Sequence, residues 1–105
     1  MSSEIKTIAD NQLPNTKGTL YTVPTSTSAA VDISCVNTHS SSLSINLYIC
    51  RSGSSSRKII NSLSLQASGG KVIISGIKLS ASDKIEGDAA IASKVDYVIC
   101  GVERT

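Results

Sequence analysis

The sequence predicts an all-β domain, built as an antiparallel sandwich or as a barrel. First, apolar and polar residues alternate with a period of two in the segment 29–51, which places side chains on opposite faces of a pleated strand. Second, turn residues recur about every eight to twelve positions between short apolar runs. Third, the apolar residues are mainly Ile, Val, Leu and Ala, without Phe or Trp, and β-branched side chains suit sheets.

The N-terminal part of the chain contains an ambiguous segment and one clear strand. Residues 4–9 hold two isoleucines and form either a short strand or an extended arm. Residues 11–18 contain Asn, Pro and Gly, a composition that predicts a linker. A strand is predicted over 19–23, and Pro24 ends it because proline has no N–H to donate to a ladder.

The segment 29–51 predicts an antiparallel hairpin. Its first arm alternates Val31 and Ile33 with polar residues, and its second arm, 43–50, alternates in the same way. The polar run 37–42 predicts the loop that joins the two arms. One face of this hairpin is expected to be buried, and the other to be wet or half-buried.

The second half of the chain predicts further short strands. Four of them are predicted over residues 58–65, 72–74, 77–79 and 84–86. The connecting segments are a Gly- and Ser-rich loop, two turns and a longer loop, over residues 52–56, 67–70, 80–83 and 88–94. Gly76 predicts a bulge or bend. The last strand, 95–102, is apolar on both faces, so it is expected to be central or covered on both sides.

Composition and charge narrow the class of function. A chain of 105 residues predicts one domain, which we place at 18–105, after an N-terminal arm or extended segment, 1–17. The net charge of +2 is too small to predict nucleic-acid binding, and no apolar run reaches the ~18 residues of a membrane helix. The N-terminus has no apolar core of a secretory signal. The low charged fraction, 17%, fits a protein that packs against copies of itself or a larger assembly, and it fits an ordinary Ser-rich β domain equally well.

The three cysteines predict neither a metal site nor redox chemistry. Cys35, Cys50 and Cys100 lie in predicted strands without a CxxC spacing, and we interpret them as reduced, buried, small apolar residues. A disulfide between two of them is an open alternative. Because the only histidine, His39, lies in a loop, we predict no metal site and no cofactor.

No group of residues predicts catalysis. A Ser or Cys nucleophile needs a neighbouring base, and a lone loop histidine, His39, is expected to be solvated. The carboxylates Asp83, Glu86 and Asp88 are of the type that serves glycoside hydrolysis or calcium binding. Their segment lacks the EF-hand pattern, however, and Asp83 suits a turn. Gly69-Gly70-Lys71 lacks the rest of a phosphate-binding motif and predicts a hairpin turn.

Five residues are candidates for an interface: Arg51, Arg57, Lys58, Tyr21 and Tyr48. The three basic residues flank the Ser-rich loop and can bind carboxylates of a neighbouring subunit, the alternative being a solvated loop tip. Tyrosine rings suit interfaces. All three tyrosines lie in predicted strands, however, where they can fill the core instead.

Several short motifs resemble a group of small virion structural proteins of tailed bacteriophages. The motifs are Leu20-Tyr21-Thr22-Val23-Pro24, Val36-Asn37-Thr38, Leu47-Tyr48, the run 79–85, and Gly101-Val102-Glu103. They span most of residues 18–103 and are turns and core positions, not catalytic signatures. Proteins of this group are antiparallel β-sandwiches, often jelly-roll-like, so the resemblance implies that fold here.

The resemblance also implies a function. It implies a non-enzymatic capsid cement or decoration protein that binds the major capsid protein or other virion subunits, forms a homo-oligomer, and resides in the virion after assembly in the host cytoplasm. The alternative is a tail- or fibre-associated subunit with a carbohydrate-binding or host-attachment role. We expect no nucleic-acid and no membrane partner. Deletion of residues 1–15 is expected to leave a folded chain that no longer binds capsids, because extended termini order on neighbouring subunits.

Overall fold

Eight β-strands make up the regular structure of the residues that the structure describes. The computed structural model describes residues 3–105, with side chains from residue 7 onward. The strands are β1 (Ser3–Gln12), β2 (Gly18–Thr22), β3 (Ser28–Asn37), β4 (Leu43–Cys50), β5 (Ser56–Leu65), β6 (Lys71–Leu79), β7 (Lys84–Ala89) and β8 (Val95–Arg104). Within the described residues, no helix has the length and apolar character needed to cross a membrane.

The strands form two four-stranded antiparallel sheets. Sheet I has the order β1-β8-β3-β6, and sheet II has the order β2-β7-β4-β5. Every strand pairing within them is antiparallel. Eight strands wound in this way between two packed sheets are a jelly-roll sandwich. The predicted fold class, an antiparallel and jelly-roll-like β-sandwich, is therefore confirmed.

The core lies between the two sheets and is aliphatic. Along β3, every second residue from Ala29 to Asn37 is buried, while the residues between them face solvent or are half-buried. The same alternation along β4 and β7 buries the inward side chains of sheet II. The fully buried side chains with the largest volumes include Leu13, Ile33, Ile45, Leu47, Ile85 and Ile99. Burial of such aliphatic side chains is the main stabilising contribution in a domain of this size.

The predicted hairpin over 29–51 is wrong. Both of its arms are strands, but β3 lies in sheet I and β4 lies in sheet II. The polar residues between them therefore cross from one sheet to the other at the ends of these two inner strands. A period of two identifies a strand with one buried face, but it does not identify the strand that pairs with it.

The turn at residues 67–70 also joins the two sheets, since β5 and β6 belong to different sheets. The prediction of a hairpin turn there is therefore wrong for the same reason. Gly70 nevertheless lies in a tight turn, where its N–H donates to the oxygen of Gln66 at 3.1 Å.

The last strand, β8, is central, as predicted. It lies between β1 and β3 in sheet I. Only one of its faces is covered, however: Ile99 is fully buried, whereas 37% of Val98 is exposed on the opposite face. The apolar outer face of β8 is therefore a surface of the molecule, and of the two predicted alternatives, a central strand or a strand covered on both sides, the first is correct.

Gly76 forms the predicted bulge. The register between β3 and β6 shifts at this point, because Val31 pairs with Ile77 and Ile33 pairs with Ile74. Gly76 has a φ of 74°, which glycine adopts without strain. Its N–H donates to the side chain of Asp32 at 3.0 Å, so the bulge is tied to the neighbouring strand.

The N-terminal segment is the edge strand of sheet I. β1 pairs with β8 from Ser3 opposite Arg104 to Gln12 opposite Asp96. Leu13, the next residue, is fully buried, and its N–H donates to the oxygen of Val95 at 2.8 Å. The predicted linker over 11–18 therefore begins inside a strand. Residues 1 and 2 of the predicted arm lie outside the described residues.

Candidate interaction surfaces

Two of the five candidate interface residues meet on the outer face of sheet II. Tyr48 on β4 pairs with Lys58 on β5, and the Lys58 ammonium lies 5.9 Å from the centre of the tyrosine ring. Lys17 approaches the same ring, with its ammonium 5.3 Å from the ring centre. These distances are typical of cation–π contacts. The sequence placed Tyr48 and Lys58 in strands, but only the pairing of β4 with β5 brings them together.

Asp88 holds Tyr48 in place. The tyrosine hydroxyl donates to one carboxylate oxygen of Asp88 at 2.9 Å, and the side-chain amide of Asn46 donates to the other at 2.8 Å. Burial raises the pKa of Tyr48, and the hydrogen bond and the negative charge of Asp88 raise it further. Tyr48 therefore stays neutral and acts as a donor at physiological pH.

The rest of this outer face is bonded internally as well. Ser56 donates to Glu86, and the Lys17 ammonium donates to the Ser56 hydroxyl at 3.3 Å. The carboxylates of Glu86 and Asp88 thus lie among cationic and hydroxyl groups that neutralise or bind them. The outer face of sheet II is therefore polar around Tyr48, and the side chains there are bonded to one another.

Arg51 lies at one end of the sandwich, in the loop that joins β4 to β5. Its guanidinium donates to the carboxylate of Asp83 at 2.8 Å and to the backbone oxygen of Lys78 at 3.2 Å. Its side chain is 54% exposed, while that of Asp83 is 4% exposed. Arg51 therefore has a role within the fold, which joins the loop after β4 to the turn between β6 and β7.

Tyr21 lies in the core. Only 9% of the residue is exposed, and its hydroxyl donates to the carboxylate of Glu103 at 2.5 Å. Burial raises the pKa of Tyr21, with the hydrogen bond and the charge of Glu103 acting in the same direction. Tyr97 is buried too. Of the three tyrosines, only Tyr48 presents its ring to the surface of a sheet.

The residues weighed as catalytic or metal-binding do not come together. His39 is half-buried in the loop after β3, where its backbone N–H donates to the side-chain oxygen of Asn37 at 2.9 Å. Asp83 lies in a turn, apart from the network that holds Glu86 and Asp88. Among the described residues, no group of three His, Cys, Asp or Glu side chains can hold a metal ion.

The three cysteines are free. Cys35 is buried, Cys50 is intermediate and Cys100 is exposed on β8, so the expectation of buried cysteines holds fully only for Cys35. Burial raises the pKa of the Cys35 thiol to about 12, which keeps it protonated and unreactive.

The side of the sandwich formed by β5 and β6 is the basic edge. These strands end sheet II and sheet I respectively, so each has one row of backbone groups without a neighbouring strand. Together they carry four basic and no acidic residues, namely Arg57, Lys58, Lys71 and Lys78. Two apolar side chains on β5 are also exposed, Ile59 by 39% and Leu63 by 38%. The basic edge thus combines positive charge, apolar side chains and free backbone groups.

Asn37 is a structural residue that sequence reasoning missed. It is fully buried, and its side-chain amide donates to the backbone oxygens of Ser41, Leu65 and Gln66 at 3.0, 3.1 and 3.1 Å. The sequence placed Asn37 at the start of a polar loop and in a turn motif, but it did not indicate that the side chain is buried. No signal in a single sequence distinguishes a buried turn asparagine from an exposed one.

The chain is similar in fold to subunits of viral capsids. A chain of the T13 particle of infectious bursal disease virus matches with a TM-score of 0.58 and 11% identity, over 97% of this chain and 30% of that one. A chain of the acid-stable capsid of Helicobacter pylori bacteriophage KHP30 matches with a TM-score of 0.55 and 11% identity, over 98% of this chain and 87% of that one.

The two matches differ in how much of the other protein they cover. The chain spans about 30% of the length of the infectious bursal disease virus subunit and most of the phage subunit. No protein-family model matches the sequence, and no curated protein matches it. At 11% identity these likenesses establish the fold alone, and that fold is a viral capsid-like jelly roll.

Proposed function

We propose that this protein is a non-enzymatic structural subunit of a virion, and specifically a capsid cement or decoration protein that binds and stabilises the shell. One observation carries the proposal. The chain is a single jelly-roll sandwich, and 97–98% of its length aligns with capsid subunits. The proposal includes the major capsid protein or other virion subunits as partners. It also includes location in the virion after assembly in the host cytoplasm.

The basic edge is the contact surface that this function would use. Arg57 and Lys58 can bind carboxylates of a neighbouring shell subunit, and burial of Ile59 and Leu63 would add apolar contact area. A partner segment can also pair with the free backbone groups of β5 or β6. Each contact is small, but many copies on a symmetric shell add their binding energies through multivalency.

The N-terminal segment and the Ser-rich loop are further parts of the proposed contact. We keep the division of the chain into an extended segment, 1–17, and a domain, 18–105, as a proposal. A deletion of residues 1–15 would remove β1 and the fully buried Leu13. Loss of binding by this deletion could therefore result from loss of the fold. Point substitutions at exposed residues are therefore the sharper test.

The test is co-sedimentation of the purified chain with shells that lack it. Arg57→Glu is expected to weaken binding at least about tenfold, since a reversed charge repels an acidic partner. Lys94→Glu reverses the charge of another exposed residue, in the loop before β8, and is the matched control, with binding unchanged. Failure of the unaltered chain to bind shells, or equal binding by both variants, would count against the proposal.

An electron-microscopy map of the particle would locate the subunit directly. Density for the chain on the capsid surface is the expected result. Density on a tail or fibre would instead favour the alternative, a tail-associated subunit with a carbohydrate-binding role. That alternative has little support in the aromatic residues, because all three tyrosines lie in strands and none lies in a loop where it could stack on a sugar.

A further inference from the structure

Every edge strand of the sandwich carries a bulge. In the part of the chain that the structure describes, the two inner pairings, β3 with β8 and β4 with β7, run without a shift of register. In each of the other pairings the register shifts, and the additional residues lie on the edge strand, which is β1, β2, β5 or β6. A bulge interrupts the row of backbone groups with which a further strand would pair. The bulges therefore decide where another strand can be added to the sandwich.

On the basic edge, the regular run is the first half of β6. Bulges divide β5 and leave two pieces of three residues, 56–58 and 63–65, in regular register with β4. β6 keeps its register with β3 over residues 71–74, before the bulge at Gly76. This run has the sequence Lys-Val-Ile-Ile, and β-branched residues favour an extended backbone. Residues 71–74 are therefore the longest regular segment of the basic edge.

The free backbone groups of this run belong to Lys71 and Ile73. Asn37, the last residue of β3, donates its backbone N–H at 2.8 Å to the oxygen of the glycine that precedes β6, so Asn37 directs its backbone groups toward β6. Residues of an antiparallel ladder alternate in the side to which they direct these groups. Val72 and Ile74 therefore bond to β3, whereas Lys71 and Ile73 present their N–H and C=O groups to the side without a strand.

The apolar side chains of the run are incompletely covered. Ile73 lies on the outer face of sheet I and is 57% exposed, the largest exposed fraction among the large apolar residues that the structure describes. Val72 and Ile74 pack against the core but are only half-buried, because no strand lies beyond β6. An added strand would cover these side chains and bond to the free backbone groups.

The charges around the run favour an acidic strand. Lys71 begins the run, and Arg57 and Lys58 lie on β5, the other strand of the basic edge. The one acidic residue of the neighbouring strand β3 is Asp32, which accepts the N–H of Gly76 at 3.0 Å, at the bulge that ends the run. A second copy of the chain would bring two basic edges together, which charge repulsion disfavours. The occupant that fits is therefore a different chain with acidic side chains.

We propose that residues 71–74 of β6 bind an extended, acidic segment of the neighbouring shell subunit, which pairs with them as an additional strand of sheet I. An apolar side chain of that segment would lie beside Ile73, and a carboxylate would lie beside Lys71. This inference rests on the proposed function and makes it more specific, because it assigns strand pairing to β6 and leaves only side-chain contacts to β5.

Proline at position 73 separates strand pairing from folding. Ile73→Pro removes an N–H that points away from β3, so the ladder within sheet I is retained. Co-sedimentation with shells is expected to show binding at least about tenfold weaker than that of the unaltered chain. Ile73→Thr is the matched control, because it retains both the N–H and a β-branched side chain, and we expect it to bind at least about threefold more tightly than Ile73→Pro. Circular dichroism checks that each variant is folded.

Hydrogen exchange of the unaltered chain provides the second measurement, and it decides the matter if Ile73→Pro does not fold. In the free chain, the amide of Ile73 is expected to exchange faster than those of Val72 and Ile74, which bond to β3. Binding to shells is expected to slow exchange at Ile73 at least about tenfold. NMR of the chain after its release from the shells measures the exchange at each residue.

Charge reversal tests the acidic character of the partner segment. Lys71→Glu is expected to weaken shell binding at least about fivefold, because it would face a carboxylate. Lys94→Glu, in the loop before β8, is again the control with binding unchanged.

The outcomes separate this inference from the proposed function. A chain that does not bind shells would contradict both. Shell binding without slower exchange at Ile73, equal binding by Ile73→Pro and Ile73→Thr, or binding indifferent to Lys71→Glu would overturn this inference alone and leave the proposed function standing. Slower exchange at Ile73 caused by a higher concentration of the chain itself, without shells, would also overturn it, since the run would then bind a second copy.

Discussion

The guanidinium of Arg51 donates to the carboxylate of Asp83 at 2.8 Å, and this contact joins the loop after β4 to the turn between β6 and β7. Asp83 also accepts the backbone N–H groups of Ser52 at 3.0 Å and Ser80 at 2.9 Å. The sequence suggested that Arg51 belongs to an intermolecular surface and that Asp83 is a turn residue. The structure shows that the two residues stabilise the same end of the sandwich.

Acid is expected to weaken the fold through Asp83. Burial opposes ionisation of this carboxyl, but the hydrogen bonds from Ser80, Ser52 and Arg51 outweigh it, so the pKa of Asp83 lies below its usual range. A lowered pKa in the folded state contributes stability that is present above the unfolded pKa of about 4 and is lost as the pH falls below it. Urea unfolding at a series of pH values between neutrality and about pH 2 measures this loss.

Asp83→Asn is expected to lower the free energy of unfolding at neutral pH by about 2 kcal/mol and to flatten its decline in acid. Asp10→Asn changes an exposed carboxylate on β1 and is the matched control, with a change within about 0.5 kcal/mol. If Asp83→Asn retained the acid dependence of the unaltered chain, another group would be responsible for it.

Asn37→Ala is expected to destabilise the protein by about 3 kcal/mol, because it leaves buried backbone oxygens without their donor. The amide of Asn37 bonds the loop after β3 to the end of β5, including the buried oxygen of Leu65. Thermal and urea unfolding measure the loss, and Asn15→Ala, at an exposed loop position, is the control. A similar stability for the two variants would mean that water replaces the lost bonds.

Gly101→Ala is expected to destabilise the protein by about 2–3 kcal/mol through overpacking. A Cβ at this position would lie 2.1 Å from the oxygen of Ala30 and 2.8 Å from the Cα of Val31. Both are backbone atoms of β3, so the two strands would have to separate. Ser75→Ala, at an exposed position on β6, is expected to be neutral in the same unfolding experiment. If Gly101→Ala were as stable as the unaltered chain, β3 and β8 would be able to separate at little cost.

Tyr21→Phe is expected to cost about 1.5 kcal/mol at neutral pH and to reduce the loss of stability in alkali. The hydroxyl of Tyr21 on β2 bonds Glu103 on β8, so the substitution removes a bond to a charged group between the two sheets. The pKa of Tyr21 is raised. The contribution of Tyr21 to the free energy of unfolding is therefore full below the unfolded pKa of about 10 and declines as the pH rises above it.

Urea unfolding at pH values below and above 10 checks this sign. Tyr48→Phe is the matched comparison, because Tyr48 also donates to a carboxylate but lies on an outer face. We expect the alkaline loss to be reduced more by Tyr21→Phe than by Tyr48→Phe. The reverse order would contradict the assignment of the loss to the core tyrosine.

Local patterning predicted the strands well and their partners poorly. Alternation located β3 and β4 almost to their ends, and Gly76 marked a bulge that the structure confirms. The predicted strand over 84–86 extends to Ala89 in β7. Gly87 and Asp88 are poor strand formers, and pairing with neighbouring strands keeps them extended, Gly87 with β2 and β4 and Asp88 with β4. Of the candidate interface residues, Arg57 and Lys58 are exposed on an edge strand, whereas the roles of Tyr21 and Arg51 depend on contacts with distant residues.

The sequence by itself determined that this protein is an all-β domain with an aliphatic core and serine in its polar positions. Those properties depend on side-chain period and composition, which are local. Only the tertiary structure decided that β3 and β4 belong to opposite sheets, that Asn37 is buried, and that four basic residues share one edge. Strand pairing depends on which apolar faces cover each other across the whole chain, and a pattern read along one segment contains no information about its distant neighbours.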